Sequence, residues 1–292
     1  MKKLLKPFLL MLSMMLLLQA CIQLKPTEED TTESGTSNDV PSPPKHYYED
    51  AVYVYQSQVD EDVLLTGFDQ AYLLLANKVE ILGADYTPSE LTRIKNDLVA
   101  SWHQSNGLYL EARVVAALYE MMDEMAAAGV TDVRVTSAYR SYTRQSQLYN
   151  QYLMEEQSTI TQNAYTYFGV EYIQKNYKDK ALNKLSYEDA LAVVLSYSAA
   201  PGTSEHQTGL CLDFITSTMS GLDTTFENTA AFEWLSENAY KFGFILRYPK
   251  GKEAITGYTY EPWHYRFVGR EAATDIYFGG HTLEEYLGKI SD

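Results

Sequence analysis

Residues 111–129, EARVVAALYEMMDEMAAAG, place Val114, Val115, Leu118, Met121, Met122 and Met125 at spacings of three and four. That spacing puts them on one face of a helix, and Gly129 closes it. DVRVTS follows at once and alternates with a period of two, as a strand does. A helix that must bury one stripe, leading into a strand that must bury a face, calls for helices laid on a sheet around a shared core. The rest of the chain continues the mixture. SYTRQSQLYNQYLMEE returns to helical spacing, and SYEDALAVVLSYS and NTAAFEWLSENAYKFG read as further helices, the last ended by Gly243. GLCLDFITS, FILRYP and WHYRFVG read as strands, with the Gly- and Lys-rich KGKEAITGYTYEP as a hairpin or long turn between the last two. SELTRIKNDL, after Pro88, has a helical opening and helical spacing behind it. No repeated βαβ unit is present. The expectation is an α+β fold, a central antiparallel sheet with flanking helices. The polar, Tyr-rich stretch at 157–190 either shapes a cleft or covers the core.

The N-terminus is a different kind of sequence. MKKLLKPFLLMLSMMLLLQAC opens with lysines, continues with a short apolar run and ends on small residues. This is the pattern of a signal peptide over residues 1–20, and the run is short for a membrane span of roughly 20 residues. Leu18-Gln19-Ala20-Cys21 resembles a bacterial lipobox, which implies cleavage before Cys21 and lipidation of its sulfur. The expected location is then the extracellular face of a bacterial cell membrane. Residues 21–45 are rich in Ser, Thr, Pro and acids, cannot bury enough surface to order themselves, and read as a flexible linker. Residues 46–63 add aromatic residues, as a strand or an accessory segment, and a single domain is expected over 64–292. The formal net charge is −16, and −19 without residues 1–20, which hold Lys2, Lys3 and Lys6 and no acid. So acidic a body repels polyanions, so nucleic acid is excluded as a partner. Of two cysteines, lipidation of Cys21 leaves Cys211 without a partner, and a disulfide framework is absent.

Chemistry concentrates in two places. PGTSEHQTGLCLDF holds His206 and Asp213, and YEPWHYRF holds Glu261 and His264. In a strand, Asp213 faces away from Leu212 and Phe214, and His264 faces away from Trp263 and Tyr265. If the two strands are neighbours, His206, Asp213 and His264 converge. Two imidazoles, one carboxylate and an open position describe a catalytic zinc site, with Glu261 left over as general base. A lone strand histidine is more often a satisfied packing residue. Spacing alone leaves both readings open.

The motifs decide between them. SEHQTGLCLDF resembles the Ser-x-His-x-x-Gly-x-x-x-Asp motif of the VanY-like D-alanyl-D-alanine carboxypeptidases. EPWHYRFVG resembles their Glu-x-x-His motif, SAYRSYTRQ their Tyr-Arg-Ser segment, and FGFILRYPKGKEAITGY the lead-in to the second motif. The resemblance runs from about Leu64 to Leu287. It implies a zinc peptidase domain that removes the C-terminal D-alanine from peptidoglycan stem peptides. His206, Asp213 and His264 would bind Zn²⁺, Glu261 would be the catalytic base, and Arg140 would stabilise the oxyanion or hold the substrate carboxylate. Gln145 and Ser204 are weaker candidates for hydrogen bonds to substrate or around the site. The alternatives are an L,D-carboxypeptidase acting on tetrapeptide stems, or a lipoprotein that binds wall peptides without cutting them. Cys211 stands where the family usually has a small residue such as Ala. Strand parity puts it on the face of Asp213, as a compact filler or a competing ligand.

Overall fold

A computed structural model of the chain describes residues 46–67, 69–177 and 184–288. The signal segment at 1–20, Cys21 and the linker at 21–45 lie outside them. The 111–129 stripe forms a helix over Ala112–Ala127 (α1), and the Glu111 carboxylate accepts the Arg113 and Val114 backbone N–H groups at its start. The other long helices are Tyr142–Ser158 (α2), Gln162–Asn176 (α3), Tyr187–Tyr197 (α4), Ala230–Asn238 (α5) and Arg270–Gly279 (α6). Strands Leu91–Arg93 (β1) and Tyr109–Glu111 (β2) form a small antiparallel pair. Strands Arg134–Ser137 (β3), Cys211–Ile215 (β4), Phe244–Leu246 (β5) and His264–Phe267 (β6) form an antiparallel sheet in the order β3-β4-β6-β5.

The sheet divides its side chains by parity. Val135, Leu212, Phe214, Tyr265, Phe267 and Phe244 join Leu118, Met121 and Met125 of α1 and Leu235 of α5 in the main core. Alternation then puts Cys211, Asp213, His264 and Arg266 on the opposite face. That face is covered as well, because every residue of β4 and β6 is buried. A second small core, with Leu153, Ala164, Ile173, Val193 and Val194, knits α2, α3 and α4 together. Within α3, Gly169 takes φ 80° and breaks the helix into two pieces. The 157–190 region thus contains two helices where the sequence signalled one.

One expectation needs correction. SELTRIKNDL is not a helix: it is β1 followed by a single 3₁₀ turn at Asn96–Leu98. The Ile94 N–H bonds to the Leu108 carbonyl beside the β1–β2 ladder, so a partner strand has overridden a weak local preference. Residues 46–63 form a strap rather than a strand: a 3₁₀ turn at Tyr47–Asp50 leads through irregular chain into a short helix that begins at Glu61. The Tyr48 N–H reaches Asp275 Oδ1 on α6 at 3.1 Å, and the Gln56 and Ser57 N–H groups reach the Glu124 carboxylate on α1 at 2.6 Å each. Among the described residues no helix is long and apolar enough to cross a membrane.

Leu118 has no exposed surface and lies in the main core. Leu118→Ala is expected to lower stability by about 2–5 kcal/mol through lost transfer energy and a cavity. Urea unfolding should show this as a lower midpoint, with an unchanged slope.

Candidate active site

The site is set by the pairing of β4 with β6, which places Asp213 directly opposite His264. His206 arrives from the side, on a 3₁₀ turn at Glu205–Thr208 that ends at Gly209 with φ 70°. A side chain at 209 would also meet Pro88 Cγ at 3.0 Å and Leu91 Cδ2 at 3.3 Å, so the turn needs glycine twice over. The turn aims the ring. His206 Nδ1 lies 2.7 Å from the Ala138 carbonyl. A carbonyl only accepts, so Nδ1 carries the proton and the Nε2 lone pair points into the site. There Nε2 stands 3.2 Å from Asp213 Oδ2, and His264 Nδ1 stands 3.0 Å from Asp213 Oδ1.

These contacts have the spacing of shared ligands. Asp213 Oδ1 is buried without a hydrogen-bond partner, although a ring nitrogen is 3.0 Å away. Lone pairs aimed at a common point explain this: ligand atoms around a tetrahedral Zn²⁺ with bonds of about 2.0–2.2 Å sit about 3.3 Å apart. Burial resists ionisation of Asp213, but the two imidazoles hold its carboxyl well below the usual range. A second donor set is present. His206, His264 and the buried Cys211 Sγ offer donor atoms within 4.8 Å of one another. Asp213 meets each imidazole within 3.2 Å, through one oxygen apiece, and its set accounts for the orphaned Oδ1. Burial opposes ionisation of Cys211, but the two histidines draw its thiol down to about 7.

Glu261 lies just before β6, its Oε2 3.6 Å from His264 Nδ1 and its side chain 16% exposed. Burial pushes its carboxyl up to about 7. Arg140 follows β3. Its Nη1 donates to Gln145 Oε1 at 2.7 Å and its Nη2 to Ser137 Oγ at 3.1 Å. Both acceptors are neutral, so the guanidinium charge is left for an anion in the cleft. Gln145 has no exposed surface and passes its other end to the Ala199 carbonyl at 2.6 Å. It reaches the site by holding Arg140, not as part of the cleft wall. Ser204 does line the cleft, which holds about 420 Å³ and is walled on one side by Tyr152, Asn163 and Tyr197 of α2, α3 and α4. Of the 157–190 stretch only Asn163 is among these cleft-lining residues, while Ala164, Ile173, Tyr177, Leu185 and Ala190 pack in the second core, so the stretch chiefly covers a core.

Sequence reasoning passed over Glu205, which sits fully buried behind the site. Its Oε1 accepts from Arg247 Nε and Arg266 Nη1, each at 2.7 Å. The available signal was two arginines inside the apolar strand segments FILRYP and WHYRF, since buried charges require buried partners.

The model of the VanY family of D-alanyl-D-alanine carboxypeptidases matches residues 107–270. The chain belongs to this family. It is similar to the putative carboxypeptidase YodJ of Bacillus subtilis, at 33% identity over 92% of this chain and 85% of the relative. It is also similar to a D-alanyl-D-alanine carboxypeptidase of Enterococcus faecalis, at 35% identity over 78% of this chain and 72% of the relative. Among solved structures it resembles the vancomycin-resistance D,D-pentapeptidase VanY in complex with Zn(II), at 34% identity and a TM-score of 0.54 over 74% of this chain and 99% of that one. The LdcB LD-carboxypeptidase aligns at 33% identity and a TM-score of 0.56 over 76% and 88%. This VanY-family chain is a metallopeptidase of the D-alanyl-D-alanine carboxypeptidase type.

The two donor sets make opposite predictions. Asp213→Asn is expected to remove most of the bound zinc, and Cys211→Ala to leave about one zinc per chain. Elemental analysis after gel filtration reads both.

Proposed function

We propose that this chain is a lipid-anchored zinc carboxypeptidase that removes the terminal D-alanine from peptidoglycan stem peptides ending in D-Ala-D-Ala. His206, Asp213 and His264 would hold the metal. Zinc, when bound, polarises a carbonyl and lowers the pKa of its water to about 7. The convergence of those three side chains with Glu261 and Arg140 in one cleft carries the reading.

The protein residues divide the remaining work. Glu261 takes the proton of the attacking water and returns it to the leaving amine. Its carboxyl, raised to about 7 by burial, can both accept and release a proton near neutral pH. Arg140 offers a fixed, uncompensated cation, either to the oxyanion that develops on the scissile carbonyl or to the substrate carboxylate. A binding protein without catalysis has no need of such a base beside the metal site, which argues against that alternative. For the bond cut, the family and the E. faecalis relative favour D-Ala-D-Ala. The LdcB likeness favours the L,D bond of tetrapeptide stems as the second reading. The anchor rests on Leu18-Gln19-Ala20-Cys21 and the polar linker behind it.

Glu261→Gln is expected to keep its zinc and lose about 10²–10⁴-fold in kcat. The base works only when deprotonated, so wild-type kcat/KM should fall as pH drops through the Glu261 pKa. A bound cation lowers that pKa, which places the acid limb at or below pH 7; rate profiles of wild type and variant check this. Incubation with pentapeptide and tetrapeptide muropeptides, read by mass spectrometry, should show loss of one alanine from the pentapeptide and little change in the tetrapeptide. Cys21→Ala is expected to move the protein from the membrane fraction to the soluble one.

A further inference from the structure

Two buried polar atoms behind the metal site lack hydrogen-bond partners and face each other. They are His264 Nε2 and Glu205 Oε2, 3.6 Å apart. Both side chains are almost wholly enclosed, at 4% and 0% exposure, so water is not a ready substitute. The distance is just outside hydrogen-bond range, and a small closing movement satisfies both atoms at once. The two ends of the His264 ring thus have different surroundings: Nδ1 faces Asp213 and Glu261, and Nε2 faces Glu205.

Glu205 is fixed in this orientation. Oε1 takes the Nε of Arg247 and Nη1 of Arg266, both at 2.7 Å. Arg247 is held in turn by Glu284 through two bonds of 2.9 and 2.6 Å, and Arg266 Nη2 by the Tyr72 and Leu74 carbonyls. With Oε1 occupied by two guanidinium groups, Oε2 is the oxygen left for the histidine.

We propose that Glu205 is a positioning residue for the metal site: its Oε2 accepts the His264 Nε2–H, fixing the tautomer that leaves the Nδ1 lone pair for the metal. Metal-bound histidines commonly donate their other ring N–H to a carboxylate or carbonyl. The Ala138 carbonyl does this for His206, and Glu205 does it for His264. The proposal rests on the assignment of His264 as a ligand.

Glu205→Gln tests it sharply. The amide oxygen must turn to the two arginines, so the NH₂ group faces His264 Nε2. A donor now meets a donor unless the ring adopts the other tautomer, which protonates Nδ1 and blocks the metal. Zinc affinity measured by chelator competition is expected to fall about 10–100-fold. Glu284→Gln is the matched control. It removes one charge from the same buried cluster and does not touch His264, so its affinity should stay within about threefold of wild type. In ¹⁵N-labelled, zinc-loaded wild type, NMR should show a proton on His264 Nε2, shifted downfield and protected from exchange. This readout needs no variant to fold. Unchanged affinity in Glu205→Gln, an equal loss in Glu284→Gln, or an Nε2 without its proton each overturn the role of Glu205. A wild-type chain that binds no zinc overturns the ligand assignment as well.

Discussion

The register between β4 and β6 is the constraint on which the site depends. Asp213 lies opposite His264, and two residues along Cys211 lies opposite Arg266. A strand displaced by one residue turns every side chain to the other face. Such a slip would send His264 into the packing of Leu212 and Phe214 and bring Tyr265 into the site. Because both faces of these strands are buried, neither can absorb the error. The core that holds the sheet against α1 therefore also holds the geometry of the site, and the side chains Leu212, Phe214, Tyr265 and Phe267 act as its reference plane.

Behind that plane lies a neutral cluster of four buried charges: Glu205, Arg247, Arg266 and Glu284. Burial opposes the charge on Glu205, but Arg247 and Arg266 hold its carboxyl well below the usual carboxylate range. Such clusters add little net stability compared with apolar packing, whereas loss of one member is strongly destabilising. What this one supplies is placement. It ties the segment at Tyr72–Leu74, the residue after β5, strand β6 and the C-terminal Glu284 to the turn that carries His206. His206 and His264 are thereby gripped from two sides, by the sheet register and by the charge cluster.

The same principles separate the two carboxylates of the site. Asp213 lies between two imidazoles and is driven toward its anion. Glu261 has its strongest influence in burial and is driven toward the neutral acid, up to about 7. Environments that push two neighbouring acids apart in this way assign different tasks to chemically similar groups. One is suited to holding a cation permanently, the other to passing a proton. Arg140 adds the complementary feature, a cation whose hydrogen bonds go to neutral oxygens and whose charge stays available to the cleft.

Much of this was legible in the residues. The stripe from Val114 to Met125, the alternation around Asp213 and the two His-and-carboxylate motifs were sufficient for the α+β fold and for naming the side chains that converge. Local periodicity carries that information because strand parity alone places Asp213 and Cys211 on one face and Leu212 and Phe214 on the other. SELTRIKNDL misled for the opposite reason: its state depends on β2, whose residues pair with it from 16 to 20 positions along the chain, and not on its own propensity. Glu205 was beyond local reading in the same sense, and Gln145 was named as a candidate without the partner that places it. Gln145 gains its place from Arg140 and the Ala199 carbonyl, and Glu205 from arginines more than forty residues distant. The sequence by itself determined which chemical groups are present and which way each element faces. Only the tertiary structure decided which buried groups complete one another, because hydrogen bonds and ion pairs between distant segments exist only after the chain has closed on itself.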